Sequence, residues 1–594
     1  MRPGQFILFK PSRLRILFFA TGVFLLLFSS GSAWSQVAVV DSGLKQPIIR
    51  YDSIHHPVKG RFGMAVSQNS IATQVGQGIL AQGGNAVDAA VAMGFALAVT
   101  LPRAGNLGGS GFMLVHTAAD QKTAAFDYRS AAPLEASVKS FTGADGELEW
   151  DELTFGAKAP AVPGTVAGMF LAWQRFGSMP WKDLLQPAYQ LADQGFEVGH
   201  DLAWVLNIAS DVLKAHAAGS AYLKQGGGAW VAGDLLVQKE LAWSIAQIME
   251  DGADAFYQGE LAQRIVKAFE KNGGIISSED LAAYAVRERN PVLTSYRGKQ
   301  VISMPPVSGG GVTLIQMLNV LENFELEKYP QGSARSLHLL AEVMKRAAAN
   351  RRSWLGDPDF VEVPVDAYVS KDLARVMAKK INLRRAAKVG KIEAEDMDRY
   401  ESRNTTHFSV MDAQGNAVSN TYTLGYSFGS GFVAEGTGIL FDNQMRNFSY
   451  RSDENHKNAL APGKRMLSTM TPTIVLDKDG KVLLVTGTPG GGRIINVILQ
   501  MVVNVIDYRM NIAEATNRTR IHQGWQNQDL AIETGLNPEV INLLKDMGHK
   551  IDLQKTMGST QSIMWQDGIF QGSADPRRPN ALALGLDKPP VAKQ

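Results

Sequence analysis

The pattern of the chain changes between Asn404 and Thr405, and this change constrains the fold more than any other feature. Residues from about 50 to 400 are mostly helix-patterned, whereas short strand-patterned runs follow Thr405, beginning with THFSVMD and AVSNTYTL. The turn signals DAQGN and DKDG predict two hairpins, the second formed by TPTIVLD and KVLLVTGT. Because strands and helices occupy separate blocks, we predict stacked α+β layers rather than a doubly wound parallel sheet.

The helical part begins with an alanine- and glycine-rich segment, ATQVGQGILAQGGNAVDAAVAMGFALAVT, which predicts a buried helix packed closely against its neighbours. Further helices are predicted by GTVAGMFLAWQRFG, WKDLLQPAYQLADQG, ELAQRIVKAFEKNGG and ARSLHLLAEVMKRAAANR. After the hairpins we predict a long apolar helix at RIINVILQMVVNVIDY, another at NPEVINLLKDMG, and a closing strand pair, QSIMWQD and IFQGSAD.

The first 35 residues predict a secretory signal. Basic residues precede an apolar run, ILFFATGVFLLLFSS, and small residues follow it around GSAWSQ. Ala33 and Ser35 favour cleavage before Gln36, whereas an uncleaved anchor is the alternative because the run is only slightly short for a membrane span. We therefore expect a secreted or periplasmic protein that contacts the membrane only through this segment, if it is retained.

Composition excludes several functional classes. The formal net charge of +2 across 594 residues gives no broad attraction to nucleic acid, so no nucleic-acid partner is expected. The chain has no cysteine, which excludes disulfides, thiolate metal sites and cysteine nucleophiles. Its ten histidines show no HExxH motif, so no metal is expected, and the absence of G-x-S-x-G argues against a standard serine hydrolase.

Three glycine clusters, at residues 105–113, 306–314 and 487–495, lack the Lys-Ser/Thr of a phosphate-binding loop and the dinucleotide fingerprint. We therefore expect no cofactor. The third cluster, within TGTPGGGRIINV, nevertheless predicts a strand, a glycine turn and a helix start. Such a turn directs successive backbone N–H groups at one point, which suits an oxyanion.

Two adjacent threonines, Thr405 and Thr406, begin the strand-patterned part. On residue types alone the simpler interpretation is structural, because β-branched threonine suits a pleated strand. However, the run TTHFSVMDAQGNAVSNTYTLGYSFG resembles the start of the small subunit of the gamma-glutamyltranspeptidases, also called glutathione hydrolases. Further blocks resemble that family in the same order over most of residues 60–580: GGNAVDAAVAMGFALAVT, AGNLGGSGFMLV, FDYRSAAP, PGTVAGMFLAW, SMPPVSGGG, GILFDNQM, MTPTIV, TGTPGGGRII, MGSTQSIM and SADPR.

The resemblance implies an N-terminal-nucleophile hydrolase, a four-layer αββα sandwich made as a precursor that cuts itself in two. The cut is expected between Asn404 and Thr405, giving a large subunit of residues 36–404 and a small subunit of residues 405–594 that remain paired. Thr405 would attack the Asn404 carbonyl, and the freed α-amino group would then act as the base of the nucleophile. On this interpretation His407 orders the strand and is not the base.

The resemblance also implies the site residues. Thr405 is the expected nucleophile, Thr423 the threonine whose hydroxyl bonds to it, and Gly490 and Gly491 the oxyanion-hole pair. The expected substrate-binding residues are Arg129 for the α-carboxylate, Ser468 and Thr469 beside it, Gln444 for the α-amino group, and Asn447. Residues 449–462 occupy the place of the family's lid loop.

Two departures from the family pattern concern recognition of the substrate ammonium. Gly425 stands where the family has Asn or Glu, and Asn447 stands where it has Asp. Loss of a carboxylate removes a charge-assisted bond, which would favour glutaryl groups that lack the amine. Asp442 is near in sequence, but a strand would direct it elsewhere.

The expected function is therefore that of a self-cleaving γ-glutamyltransferase and glutathione hydrolase. It would form a γ-glutamyl ester on Thr405 from glutathione or other γ-glutamyl compounds and pass it to water, amino acids or peptides. The alternatives are a glutaryl (cephalosporin-type) acylase of the same fold and an inactive, unprocessed binding homologue.

Overall fold

The computed structural model of the protein describes residues 53–215, 217–388, 404–450, 456–524 and 529–591. The predicted signal segment, residues 1–35, lies outside these ranges, as do residues 451–455 of the predicted lid loop. Residues 49–594 form one unit. In the described ranges, no helix combines the length and the apolar character needed to cross a membrane.

Two seven-stranded antiparallel sheets form the centre of the molecule. Sheet I has the spatial order β21 (Leu582–Gly585), β2 (Gly63–Ser67), β10 (Asn404–Asp412), β11 (Ala417–Gly425), β3 (Ser110–Thr117), β4 (Lys122–Tyr128) and β7 (Arg287–Arg289). Sheet II has the spatial order β1 (Val58–Gly60), β20 (Ile569–Ala574), β19 (Gln561–Gln566), β15 (Val482–Thr486), β14 (Thr473–Leu476), β9 (Lys299–Ser303) and β8 (Val292–Tyr296).

Smaller sheets lie outside this centre. They are formed by β5 (Phe196–Glu197) with β6 (Leu235–Leu236), by β12 (Val433–Ala434) with β13 (Ile439–Leu440), and by β16 (Ile521–His522), β17 (Leu530–Glu533) and β18 (Ile551–Gln554).

The helices fall into two groups along the chain. The first group is α1 (Ser70–Ala81), α2 (Ala86–Thr100), α3 (Thr165–Phe176), α4 (Trp181–Gln194), α5 (His200–Ile208), α6 (Ser210–Lys214), α7 (Lys239–Asp251), α8 (Asp254–Tyr257), α9 (Glu260–Lys271) and α10 (Ser278–Ala283). The second group is α11 (Gly309–Leu321), α12 (Ala334–Trp354), α13 (Val365–Tyr368), α14 (Lys371–Lys379), α15 (Ile494–Ile506), α16 (Ile512–Asn517) and α17 (Pro538–Asp546).

Side-chain alternation along β10 shows how the layers stack. Val410 belongs to a core shared with helices of the first group, whereas the next residue, Met411, belongs to a core shared with sheet II and helices of the second group. Successive residues of a strand face opposite sides of a sheet, so helices cover the outer face of each sheet while the inner faces pack together. The predicted four-layer αββα sandwich is confirmed.

Both predicted hairpins are present, as β10 with β11 and β14 with β15, and the closing strand pair is β19 with β20. The alanine-rich segment, predicted as one helix, is divided into α1 and α2. Gly83 has a φ of 87°, in the left-handed region that favours glycine, and the Asn85 side chain accepts bonds from the first turn of α2. The predicted burial of this segment is correct for α2, which is buried along its whole length.

The described part of residues 50–400 is mostly helical, as predicted, but β1 to β9, which the sequence analysis did not predict, also lie there. These strands are short, and β2, with sequence GMAVS, is buried at every position. A strand covered on both faces has no alternation of polar and apolar residues, so a periodicity argument does not detect it.

Candidate active site

Thr405 lies at an irregularity near the start of β10. Asn404 pairs with Gly425 of β11, but Thr406 pairs with Tyr422, so the register shifts between them. Such bulges redirect a side chain away from the regular pleat. The Thr405 side chain is 4% exposed and lies across from Thr423.

The two threonine hydroxyls are bonded to each other. The Thr405 Oγ1 donates to the Thr423 Oγ1 at 3.2 Å, and the Gly425 N–H donates to the same Thr423 oxygen at 2.9 Å. The backbone N–H of Gly425, at the end of β11, therefore fixes the position of the Thr423 hydroxyl. The expected role of Thr423 as the hydroxyl partner of the nucleophile requires such a contact with Thr405, and that role stays a prediction.

The glycine cluster after β15 forms the predicted strand, turn and helix. Gly490 and Gly491 have φ angles of 140° and 57°, both in the region that favours glycine. A short 3-10 turn, Gly491–Arg493, leads directly into α15. The Thr469 hydroxyl donates to the Gly491 carbonyl at 3.0 Å, which ties this turn to the segment that contains Ser468.

Arg129 follows β4 and is 2% exposed. Its Nε donates to the Met466 carbonyl at 3.3 Å, and its Nη1 donates to the Ser110 hydroxyl at 3.4 Å. Burial lowers the pKa of its guanidinium to about 10, which the nearby carboxylates of Asp442 and Asp127 oppose. The side chain therefore remains a buried cation at neutral pH.

Gln444 connects Arg129 with the threonine pair. Its Nε2 donates to the Ser110 hydroxyl at 2.8 Å and lies 3.4 Å from the Thr423 carbonyl. Its Oε1 is buried and has no hydrogen-bond partner in the described part of the chain. A buried amide oxygen without a partner is costly, so this atom is suited to accept a bond from a ligand.

These side chains meet around one cavity of about 50 Å³. The predicted site residues that line it are Arg129, Thr405, Thr423, Gln444, Asn447, Ser468, Thr469 and Gly491. Gly490 is next to the last of these in the glycine turn but does not itself line the cavity, and Asn404 precedes Thr405 on β10.

Sequence reasoning missed the remaining residues that line this cavity. They are Arg351, Asn458, Leu467, Met470 and Ile494. Asn458 belongs to the predicted lid loop, and its Nδ2 donates to the Asn447 carbonyl at 2.7 Å. Arg351 lies within α12, where the helical pattern of the sequence gave no signal of a site.

The structure gives a steric reason for Gly425. Its φ is 93°, and a Cβ there would lie 2.1 Å from the Asn443 Oδ1, which already accepts from the Tyr426 N–H at 3.0 Å. Any larger residue would be strained and would displace Asn443. The Asn443 side chain thus occupies the space beside residue 425.

Asp442 and His407 are buried next to the site without lining it. Burial raises the pKa of Asp442 to about 7, although Ser130, Ala161 and Gln444 all donate to its carboxylate. Burial lowers the pKa of His407 to about 3, so the imidazole is neutral at neutral pH. Its ring nitrogens contact the hydroxyls of Thr421 and Ser409, at 2.8 and 3.0 Å.

A buried cluster of His338, Glu342 and His549 offers three potential metal-ligand atoms. However, the two imidazoles contact each other, with Nδ1 and Nε2 2.8 Å apart, and Glu342 accepts from Lys345 at 2.8 Å and from Arg346 at 2.6 Å. The donor atoms are thus already engaged with protein groups, an arrangement that suits an ion-paired network better than a cation site.

The layered fold and the threonine near the start of β10, a central strand of sheet I, define the class. A four-layer αββα sandwich with a hydroxyl residue directly after a predicted cut is the arrangement of N-terminal-nucleophile hydrolases.

Comparisons with known proteins identify the family within this class. The gamma-glutamyltranspeptidase family model matches residues 72–585. The glutathione hydrolase proenzyme of Escherichia coli K12 is 46% identical over 569 residues, which cover 94% of this chain and 97% of that protein. The chain therefore belongs to the gamma-glutamyltranspeptidase family.

Solved structures support the same fold. A cephalosporin acylase from Bacillus halodurans superposes with a TM-score of 0.81 at 28% identity, covering 92% of this chain and 99% of that chain. A gamma-glutamyltranspeptidase chain from Helicobacter pylori superposes with a TM-score of 0.51 at 43% identity, covering 52% of this chain and 89% of that chain.

Proposed function

We propose that the protein is a γ-glutamyltransferase and glutathione hydrolase that uses Thr405 as its nucleophile. The observation that carries this proposal is the bonded pair of Thr405 and Thr423 hydroxyls in one cavity with the buried cation of Arg129. The family membership and the E. coli glutathione hydrolase proenzyme support the same reaction.

The enzyme is proposed to mature by cutting itself. The Thr405 Oγ attacks the Asn404 carbonyl carbon, the peptide bond between them breaks, and the resulting ester is hydrolysed by water. This step leaves Thr405 with a free α-amino group, at the start of a small subunit of residues 405–594. The partner is a large subunit of residues 36–404 if the signal segment is removed.

In turnover the free α-amino group takes the proton of the Thr405 hydroxyl. Such amines have pKa values of about 7.7–8.0, so the group is partly neutral near neutral pH and can accept a proton. The oxygen then attacks the γ-carbonyl carbon of the donor, the amide bond breaks, and the leaving amine takes the proton. Water or an acceptor amine attacks the γ-glutamyl ester and releases Thr405.

Charge that develops on the carbonyl oxygen is proposed to be held by the backbone N–H groups of Gly490 and Gly491. Rigid donors of this kind stabilise the transition state because they need no reorganisation during the reaction. The φ angles of 140° and 57° at these positions mean that replacement of either glycine would strain the turn.

The acyl group is proposed to be held by its α-carboxylate and its α-amino group. Arg129, with Ser468 and Thr469, receives the carboxylate, for which a guanidinium is well suited. The buried Oε1 of Gln444 accepts a bond from the ammonium, and Asn447 lies on the same cavity wall. The described residues that line the cavity include no carboxylate that could contact the ammonium.

The lack of a carboxylate among the described lining residues supports the second candidate, an acylase that acts on glutaryl groups. The similarity of the fold to that of a cephalosporin acylase supports it as well. The identities favour the first candidate, because the E. coli glutathione hydrolase proenzyme is 46% identical whereas the acylase is 28% identical. A glutaryl group would also leave the ammonium-binding oxygen of Gln444 unused.

Export is proposed from the signal-like first 35 residues, which would place the reaction outside the cytoplasm. Cell fractionation tests this proposal. Mature protein in the cytoplasm, with residues 1–35 retained, would contradict it.

The function is tested with a γ-glutamyl anilide and acid-quenched protein. We expect anilide release, and a γ-glutamyl group on the small-subunit peptide that begins with Thr405. Thr405→Ala should abolish cutting and lower activity by about 10³-fold or more. Thr406→Ala is the matched control, since that hydroxyl has no partner among the described residues, and it should retain both cutting and activity. Unchanged activity in Thr405→Ala would refute the proposal.

A further inference from the structure

The two side chains that hold the glutamyl group must lie at a fixed spacing. The α-carboxylate and the α-ammonium are bonded to one carbon atom, so a shift of one binding side chain weakens the fit at the other. Arg129 and Gln444, the proposed binding groups, meet at the Ser110 hydroxyl, which accepts from Arg129 Nη1 at 3.4 Å and from Gln444 Nε2 at 2.8 Å. The first of these contacts is long, so this shared acceptor does not by itself fix the spacing.

A single buried carboxylate contacts the chain at both binding groups. The Asp442 side chain is completely buried, and its Oδ2 accepts from the hydroxyl of Ser130, the residue directly after Arg129, at 2.6 Å. Its Oδ1 accepts from the backbone N–H of Gln444 at 3.2 Å and from that of Ala161 at 3.0 Å. Asp442 thus connects the backbone beside the carboxylate-binding group with the backbone of the ammonium-binding group.

The chain segments that Asp442 contacts are also bonded to one another. Ala131 and Val162 exchange two backbone hydrogen bonds, of 3.2 and 2.8 Å, and the Met445 N–H donates to the Ala159 carbonyl at 3.2 Å. The chain from Ala159 to Val162 is therefore bonded both to the segment that follows β4 and to the segment that contains Met445. The Asp442 side chain contacts all three segments, so its removal loosens the place where they meet.

The contacts of Oδ1 are the same in both protonation states of Asp442. Burial raises the pKa of its carboxyl to about 7, so charged and neutral forms are both present near neutral pH. Because Oδ1 accepts from two N–H groups, the proton of the neutral form lies on Oδ2, beside the Ser130 hydroxyl, which can donate or accept. Asp442→Asn therefore keeps the shape and the essential acceptor oxygen, whereas Asp442→Ala removes all three contacts.

We propose that Asp442 is a positioning residue that sets the spacing between Arg129 and Gln444. It does not line the cavity and acts through these two side chains. The enzyme then favours acyl groups that carry both an α-carboxylate and an α-ammonium, because a group with one of them can follow a displaced partner whereas a group with both cannot. This inference rests on the proposed γ-glutamyl reaction and assigns part of its specificity to a residue outside the cavity.

Three anilides test the proposal: the γ-glutamyl anilide has both groups, the glutaryl anilide lacks the ammonium, and the γ-aminobutyryl anilide lacks the carboxylate. In Asp442→Ala we expect kcat/KM for the γ-glutamyl anilide to fall about tenfold, mostly through KM, and that for each one-group anilide to fall less than about threefold. Where a one-group anilide turns over too slowly, its inhibition constant is measured instead.

Two further variants and a control make the test specific. Asp442→Asn should keep the preference for the γ-glutamyl anilide within about twofold of wild type. Ser130→Ala leaves the carboxylate in place and removes one contact, so it should lower the preference by about threefold even if Asp442→Ala does not fold. Asp412→Ala is the matched control, because this buried carboxylate also accepts from three backbone N–H groups but lies at the end of β10 opposite Thr405. It should leave the preference unchanged.

The outcomes separate this inference from the proposed function. A preference that is unchanged in Ser130→Ala and in folded Asp442→Ala would overturn the positioning role, as would an equal loss for all three anilides. A loss in Asp442→Asn as large as that in Asp442→Ala would overturn it too, because charge and not position would then matter. These results leave the γ-glutamyl reaction intact, whereas failure of wild type to use any γ-glutamyl donor would overturn the proposed function as well.

Discussion

At the scale of single residues, the two departures from the family pattern differ in kind. Gly425 cannot be changed alone, because Asn443 occupies the space that a side chain would need. Asn447 lines the cavity as part of a 3-10 turn, Gln444–Asn447, and imposes no such restriction. Asn447 is therefore the position at which ammonium recognition can be tested.

Asn447→Asp should raise the preference for γ-glutamyl over glutaryl donors. A charge-assisted bond is worth roughly 1.5–3 kcal/mol against about 1 for a neutral one, so the expected change is on the order of tenfold. The measurement is the ratio of kcat/KM for the two anilides in wild type and variant. A ratio that changes by less than about twofold would mean that Asn447 is only a structural neighbour.

His407 predicts a specific dependence of stability on pH. Its pKa is about 3 in the folded protein, below the ordinary value of 6.5, because burial disfavours the charged imidazole. Because of this lowered pKa, the free energy of unfolding is highest above about pH 6.5 and decreases as the pH falls toward 3. We expect thermal melts to show that His407→Gln loses less stability than wild type between pH 7 and pH 4, by about 1 kcal/mol per pH unit below the unfolded pKa.

The same variant separates structure from catalysis. Because the imidazole stays neutral through the working range, the shape of the activity profile between about pH 6 and 9 should be the same in His407→Gln and wild type. Loss of an acidic limb from that profile would instead identify His407 as a catalytic group.

At the scale of elements, a buried arginine connects the two predicted subunits at the substrate carboxylate site. Arg465 Nε donates to the Arg129 carbonyl at 3.2 Å, and the Tyr284 hydroxyl donates to the same oxygen at 3.0 Å. The Arg465 backbone N–H donates to Asp357 at 2.8 Å. Arg465 lies after the predicted cut and the other three lie before it, so docking of the subunits positions Arg129.

Arg465→Met should therefore weaken substrate binding rather than the chemical step. The substitution removes the hydrogen bond from Arg465 to the Arg129 carbonyl. In a variant that is cut and folded, we therefore expect KM for γ-glutamyl donors to rise about tenfold while kcat changes less. Arg287→Met is the matched control, because Arg287 is exposed and pairs at 3.3 Å with Asp359, a carboxylate that also lies 3.7 Å from Arg465. A fall in kcat alone would contradict a positioning role.

The elements also show what the sequence could predict. The hairpins β10–β11 and β14–β15 were predictable because each has its own turn signal between alternating strands. Strand β2 was not, since its partners β10 and β21 are distant in sequence and burial on both faces removes its periodicity. The site residues followed from the family resemblance, whereas Arg351 did not, because a cation within a helical pattern usually lies on a solvated face.

At the scale of the whole molecule, the predicted cut does not divide the protein into two separate bodies. In sheet I, β10 and β11 follow the cut in sequence but lie between β2 and β3, which precede it. Sheet II likewise joins β9 to β14 across the cut. Both pieces contribute strands to both sheets, so separating them would break the ladders, and we expect them to stay paired after cleavage.

The central claim is that Thr405 becomes the N-terminal residue of a separate chain. Mass spectrometry of the purified, denatured protein tests it most directly. The account predicts two chains, one roughly twice as heavy as the other, with the lighter beginning at Thr405, and a single uncut chain for Thr405→Ala. A wild-type protein that remains one chain, or a lighter piece that begins at any other residue, would contradict it.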